Sequence, residues 1–432
     1  MNRRTVVGAV AVLAISGMLI SGCSSSGSDS GSGSKATVTI MTWESAQTNA
    51  QIDKALKGFT DPNITVKRLA TPSGDYSAKL SSLTQAKKLP DLFWCGNDTE
   101  QQYSDLGILT DWTSKLSGGK TLNDRSFGTA LANWKTKAGQ IGGLPSLLNT
   151  YGIWYNADAF KAAGLTIPAA GWTYDDLYAD AAALTNKNGA TYGLHAAPTT
   201  DTPFALSRYA VSAGGKPFAA STNDPTKVQA DSKYIEGMEK LAASIKAGAT
   251  TPPGYDDSNS TSLFSAGKIP MLDGGQWLAA AFLTDKPKVD YGFAPYPTAG
   301  KDGKFVTTYD AVGICTPKYT ANSDATFKVL QYLDSTMFEK VLPVSPVAPP
   351  AYVKAQDAYF NALSAVPPSI GETVKADLAT KNLVGTRFTP TWGPKVNTLT
   401  TAMFLPILSG KASMSTLPDY IDKVNAIINE NK

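Results

Sequence analysis

Trp43 and Glu44 end the stretch TVTIMTWES, and Trp94, Asn97 and Asp98 end KLPDLFWCGND. Twice in the first hundred residues, therefore, a large ring stands beside polar groups. Rings flanked by planar amides, carboxylates and guanidinium groups suit a ligand with flat apolar C–H faces and a rim of hydroxyls. For every tryptophan the competing explanation is a core ring with a satisfied N–H. Trp112, Trp134 and Trp172 read as structural in that sense.

Covalent chemistry finds little support. His195 is the single histidine, which excludes zinc motifs built on two histidines. No G-x-S-x-G elbow occurs, and a serine triad on His195 would have nothing local to support it. The GGKT at 118–121 imitates the end of a phosphate loop, but Ser114 stands where the first glycine belongs and no buried strand precedes it. Asp175 and Asp176 are accounted for by helix capping, and Asp256 with Asp257 by a polar turn ahead of a helix. No catalytic residue, metal or cofactor is expected.

Delivering rings and polar groups to one place requires particular elements. Val38, Ile40 and Met41 form a first strand, Ile52, Ala55, Leu56 and Phe59 share a helical face, and ITVKRLA is a second strand. A helix over Asp75 to Lys88 stops at Pro90 before the short buried strand Leu92, Phe93, Trp94. That β, α, β, α, β order predicts a parallel sheet covered by helices, with ligand bound beyond the carboxyl ends of the strands, where Trp43 and Trp94 fall. Further on, GQIGG reads as a Gly-rich turn, Tyr151 to Tyr155 as extended, and the next helix breaks at Gly164. Thr173 and Asp176 make a capping box, TYGLHAA is a short strand, and a helix covers about Lys233 to Lys246. SLFSAGKIPMLDGGQWLAAAF reads as helix, turn, strand and a helix opened by Gly274 and Gly275, and VLPVSPVAPP as a crossing between domains.

The chain opens with Arg3 and Arg4, an apolar run from Val6 to Ile20, and then Ser21, Gly22 and Cys23. The run is shorter than the roughly 20 residues of a membrane span, so residues 1–22 read as a signal peptide. Leu19 to Cys23 resembles a bacterial lipobox, which implies cleavage before Cys23 and a lipid on its sulfur. Residues 24–34, SSSGSDSGSGS, then form a tether with a random-coil reach of about 17 to 20 Å. With 42% hydrophobic and 17% charged residues, the remainder can bury a large core as two domains. Net charge is +3, falling to +1 once Arg3 and Arg4 are removed, so neither nucleic acid nor an anionic surface is implied as partner. Cys95 and Cys315 remain, and whether they pair is left open.

KLPDLFWCGND, LGILTDW, GQIGGLPSLLNTYGIWYNADAFKAAGL, GWTYDDL, TYGLHA, LFSAGKIPMLDGGQW and DYGFAPYP resemble, in order, the landmarks of the extracellular solute-binding proteins that feed ABC sugar importers, the maltose-binding-protein-like family. The resemblance covers residues 35 to about 410. It implies a lipid-anchored, monomeric receptor at the extracellular face of a bacterial cell membrane, with the ABC permease transmembrane subunits as partners. It also implies two α/β lobes, each a mostly parallel sheet flanked by helices. Lobe one would be 35–146 with 311–347 and lobe two 147–310 with 348–432, joined by crossings near Ser146, near Thr308 to Val312 and in the proline-rich run. Carried over residue by residue, the carbohydrate contacts are Trp43, Glu44, Trp94, Asn97, Asp98, Asn149, Trp277, Arg387 and Trp392, with Asp310 and His195 beside them. Asn149 stands where the maltose relative carries a carboxylate. Two alternatives stay open: the same fold taking a polyol, a phosphorylated or a cationic compound, and an anchored carbohydrate-active enzyme.

Overall fold

The computed structural model describes residues 35–432 apart from 72–74, 129, 187–190 and 309. The signal peptide, Cys23 and the Ser/Gly tether lie outside the described residues.

Eleven short strands are placed among the described residues. β1 (Ala36–Met41), β2 (Ile64–Leu69), β3 (Leu92–Gly96), β4 (Gly143–Asn149) and β10 (Asp310–Cys315) form a five-stranded sheet in the order β2-β1-β3-β10-β4. In β1 the side chains alternate, Val38 and Ile40 buried and Thr37 exposed, as a strand with one face on the core requires. The expected parallel pairing holds for β1 with β2 and with β3, through the helices Ala46–Leu56 and Tyr76–Gln85. It does not hold for the other half of the sheet, because β10 returns from far along the chain and runs antiparallel to both β3 and β4.

The Gly-rich stretch 139–143 leads directly into β4, a strand not expected from the sequence, which begins at Gly143 and has Pro145 inside it. Proline has no N–H for a ladder, and the strand accommodates it where the register against β10 shifts between Val312 and Gly313, opposite Pro145. Gly313 is required there, since a Cβ would stand 2.0 Å from the Leu144 carbonyl oxygen.

The second sheet has the order β6-β7-β5-β8, from β5 (Tyr151–Asn156), β6 (Leu194–His195), β7 (Met271–Gly275) and β8 (Tyr291–Ala294). β5 is antiparallel to β7 and β8, and only β6 with β7 is parallel. Both sheets are thus mixed rather than mostly parallel. Trp154 anchors this layer, its ring 4.6 Å from Phe293 and 4.9 Å from Phe282. Thr173 and Asp176 form the expected capping box on the helix Tyr174–Leu184. The glycine pair 274–275 ends β7, and the following helix begins at Leu278. A third, helical cluster joins Phe204, Phe218 and Tyr234 to Phe388, Phe404 and Tyr420.

The chain passes between the sheets at Thr150, where β4 hands over to β5, and again where β9 (Thr307–Thr308) leads to β10. β9 itself pairs with β11 (Leu383–Val384). The proline-rich segment lies along β4, with the Leu148 N–H donating to the Pro349 carbonyl at 2.8 Å and the Ala351 N–H to Ser146 at 2.9 Å. Trp112, Trp134 and Trp172 are buried, and the first and last satisfy their N–H on Thr316 (3.3 Å) and Pro295 (2.8 Å).

Cys95 and Cys315 are joined by a disulfide between the neighbouring strands β3 and β10, their Cα atoms 6.0 Å apart. It closes a loop with a sequence separation of 220, so its main effect falls on the unfolded chain. Replacing both cysteines by alanine is expected to cost about 2–4 kcal/mol of stability, read as a lower melting temperature than the oxidised wild type. Identical melting of the two proteins would show that the bridge contributes nothing.

Candidate ligand-binding cleft

The cleft is built around the end of β7. Gln276 is fully buried, and its Oε1 accepts the Thr150 N–H at 2.7 Å while its Nε2 donates to the Val347 carbonyl at 3.2 Å. The next residue, Trp277, turns outward and is 38% exposed. Its indole lies back over Gly275, where a Cβ would come within 1.9 Å of the ring, so the order Gly-Gln-Trp is a steric requirement. The Tyr151 ring meets it edge-on at 5.4 Å.

Trp277 borders two chambers. The outer one, of about 580 Å³, lies between the lobes and is lined by Trp43, Glu44, Asn149 and Val312 on one side and by Ala280, Ala281 and Thr284 on the other. The half-buried Trp43 stands edge-on against Tyr76 at 5.3 Å. Burial pushes the Glu44 carboxyl up to about 6, against the pull of the Trp94 indole N–H, which donates to its Oε1 at 3.1 Å.

The inner chamber, of about 350 Å³, enters the second lobe past Asp201, Asp273 and Arg387. Arg387 reaches Asp98 at 3.6 Å and Asp201 at 3.5 Å. Both separations are loose for ion pairs, and the arginine Nε has no partner among the described residues. Arg208 stacks on the Tyr296 ring at 3.8 Å and donates to Thr308 at 3.0 Å, while the Tyr296 hydroxyl donates to Asp273 at 2.6 Å. Asp310 accepts from the Tyr151 hydroxyl at 2.8 Å and from the Asn149 amide at 3.3 Å. Desolvation raises the carboxyls of Asp201, Asp273 and Asp310, partly offset by Arg387 for Asp201 and Asp310 and by Arg208 for Asp273.

The structure brings Trp43, Glu44, Asn149, Trp277 and Arg387 to the cleft, with Asp98 and Asp310 bonded behind them. It places four other candidates elsewhere. Trp94 is 2% exposed in the core of the first lobe and touches the site only through its bond to Glu44. Asn97 begins the helix Asn97–Asp105 and lines neither chamber. Trp392 is 8% exposed in the helical cluster, 4.9 Å from Phe388. His195 is buried in β6 with its Nδ1 3.4 Å from Asp257, while its neighbours Leu194 and Ala196 line the inner chamber. Asp273 and Tyr296 were not among the sequence candidates. Tyr296 stands two residues beyond β8, where the carboxyl-edge rule applied to YGFAPYP would find it, whereas Asp273 is the middle residue of β7. Arg208, on the helix Ser207–Ser212, carries no comparable signal.

Glu44 offers a test of this geometry. A glutamate that titrates near 6 when folded and near 4.5 when unfolded is held more tightly by its proton in the folded chain. Its contribution to stability is therefore fully present below about pH 4.5 and is lost as the pH rises through about 6. Glu44→Gln is expected to flatten that part of the curve of melting temperature against pH, by an amount on the order of 1–2 kcal/mol. Superimposable curves for the two proteins would mean that Glu44 is not desolvated.

Comparison with known proteins then bears on this two-lobed cleft. A profile of the bacterial extracellular solute-binding protein family matches residues 43–337. The maltodextrin-binding protein MdxE of Bacillus subtilis is 26% identical over 331 residues, 74% of this chain and 75% of its own. Among solved structures, an ABC substrate-binding protein of Listeria monocytogenes in complex with cycloalternan superposes with a TM-score of 0.75 at 22% identity, over 92% of this chain and 99% of that one. A solute-binding protein of Thermotoga lettingae bound with alpha-D-tagatose gives 0.75 at 19% identity, over 91% and 100%. These likenesses carry the two-lobe α/β fold of periplasmic binding proteins, and the enzyme alternative falls with them, because the matched family consists of binding receptors. The chain belongs to the bacterial extracellular solute-binding protein family.

Proposed function

We propose that this receptor captures a carbohydrate, an oligosaccharide, between its lobes and hands it unchanged to the transmembrane subunits of an ABC permease. The observation that carries the reading is the exposed Trp277 ring, shared by two chambers whose rims hold an amide (Asn149), carboxylates (Glu44, Asp201, Asp273) and a guanidinium (Arg387). An aromatic platform ringed by planar polar groups matches the stacked faces and hydroxyl rim of a sugar. The combined chamber volume falls in the usual range for small-ligand sites and extends on both sides of the ring, which favours more than one sugar unit. The maltodextrin and cycloalternan relatives support the same class of ligand. A phosphorylated solute is disfavoured, since the two arginines are already shared among several carboxylates.

In this reading Trp43 and Trp277 stack on ligand, Glu44, Asn149 and Arg387 bond its hydroxyls, and Asp98, Asp310 and Trp94 position those groups. Lobe one comprises 35–146 with 311–347 and lobe two 147–310 with 348–432, and closure is a rigid-body motion about the three crossings. A lipid on Cys23 and the tether to residue 34 hold the receptor at the extracellular face of the cell membrane. No helix among the described residues is long and apolar enough to cross a membrane.

A thermal-shift panel of oligosaccharides, polyols, amines and sugar phosphates tests the ligand class. A ligand at 100 times its dissociation constant is expected to stabilise by about 2.7 kcal/mol. Trp277→Ala is expected to weaken binding of the sugar found in this way at least tenfold, with the unliganded melting temperature nearly unchanged. A panel in which amines or phosphates stabilise and sugars do not would overturn the carbohydrate reading. The anchor is tested separately: Cys23→Ser is expected to move the protein from the membrane fraction to the medium, and retention on the membrane would refute lipidation at that residue.

A further inference from the structure

The inner chamber does not end at the interlobe rim. From Trp277 and Arg387 it runs on beneath the helix Ser207–Ser212 to a wall formed by Leu177, Tyr178, Ala205, Leu206 and Leu241. Leu177 and Tyr178 belong to the helix Tyr174–Leu184 and Leu241 to the helix Ser232–Lys246. These two helices pack together, and the Lys240–Asp175 ion pair at 2.6 Å joins them on their outer surface. Tyr178, Ala205 and Leu241 nevertheless keep part of their surface uncovered, because they face the chamber. Gly237 shapes the floor: a Cβ there would stand 2.7 Å from the Tyr209 ring, so the ring lies against the helix backbone and leaves the space beside it open.

We propose that this inner end receives an aryl or short alkyl group carried by the bound sugar, an aglycone rather than a further sugar unit. The proposal rests on the carbohydrate reading given above and deepens it. Four of the five wall residues have no polar side-chain atom, and most polar groups nearby are engaged, with Arg208 Nε and Asp257 Oδ1 the lining atoms buried without a hydrogen-bond partner among the described residues. Arg208 donates to Thr308, Tyr296 to Asp273 and Tyr209 to Glu236. A pyranose pushed against this apolar wall would strip water from several hydroxyls and regain few of the bonds, and each hydroxyl left unpaired is penalised. An apolar group at the same place loses only unfavourable hydration. A cavity of about 150 Å³ accommodates benzene, less than half of the 350 Å³ of the whole chamber, which also includes the part beside Trp277 and Arg387.

Titration calorimetry with matched methyl and phenyl glycosides of glucose, galactose and xylose tests the assignment. For the sugar that binds, the phenyl glycoside is expected to bind at least tenfold more tightly than the methyl glycoside. Ala205→Phe, which fills the chamber from this wall, is expected to shrink that ratio below threefold, and Leu241→Phe does the same from the helix Ser232–Lys246 should the first variant fail to fold. Equal or weaker binding of the phenyl glycoside by the wild-type protein overturns the proposal. If none of these glycosides binds, the oligosaccharide panel decides the carbohydrate reading, and phenol alone decides the chamber. Saturable phenol binding that Ala205→Phe abolishes supports an aryl pocket, and no phenol binding overturns it.

Discussion

The structure turns on one buried amide. Gln276 has no accessible surface, and through its side chain and its own N–H, which donates to the Thr150 carbonyl at 3.1 Å, it fastens the end of β7 to the β4–β5 passage and to the proline-rich segment. A buried amide left without partners costs about 1–3 kcal/mol per group, so these passages are held in fixed relation. Trp277 follows it in the chain and inherits that position. The ring with the greatest exposure among the tryptophans therefore stands where the lobes meet, backed by a glycine that only a missing Cβ makes possible.

Charge is organised around the same point. Asp310 begins β10 directly after the second passage, and its two donors, Asn149 and Tyr151, flank the first. One carboxylate thus couples two crossings while lying next to Arg387, which lowers its raised pKa. Arg387 itself is spread across Asp98 and Asp201 at distances longer than good ion-pair geometry, leaving its donors available. Burial raises Glu44, Asp201, Asp273 and Asp310 alike, the condition of acceptors that an incoming hydroxyl donor would satisfy.

Local signals in the sequence carried much of this and failed where contacts are remote. The alternation of Val38 and Ile40, the capping box at Thr173 and Asp176, and the Gly-Gln-Trp landmark each depend on residues a few positions apart. β10 was invisible because its partners, β3 and β4, lie more than 150 residues away, and its insertion is what makes the first sheet mixed and brings Cys315 to Cys95. β4 was hidden by Pro145, which the register shift at Gly313 accommodates only in three dimensions. Trp94 and Trp392 show the limit of landmarks for a site. A position at a strand end or in a late aromatic motif does not tell depth, and both rings turn inward, Trp94 onto the first-lobe core and Trp392 onto Phe388.

Depth also separates what must hold from what must yield. The crossings are buried and bonded, whereas the bonds from Thr284 to Gln47 at 2.8 Å and from Lys137 to Asp224 at 3.0 Å are open to water. Exposed pairs of this kind contribute about 0–1 kcal/mol each. The bond from Thr389 to Gln101 is buried, and the Arg387–Asp98 pair is half-buried. Separating the lobes at the rim therefore costs little, while breaking the hinge costs several buried bonds. In the proposed reading, a ligand that touches both lobes, through Trp43 and Glu44 on one side and Trp277 and Arg387 on the other, binds a closed arrangement better than an open one. That difference in affinity is all that can shift the balance between them. On that proposal, a weak rim over a strong hinge leaves the ligand, rather than the protein's own contacts, as the deciding term in closure.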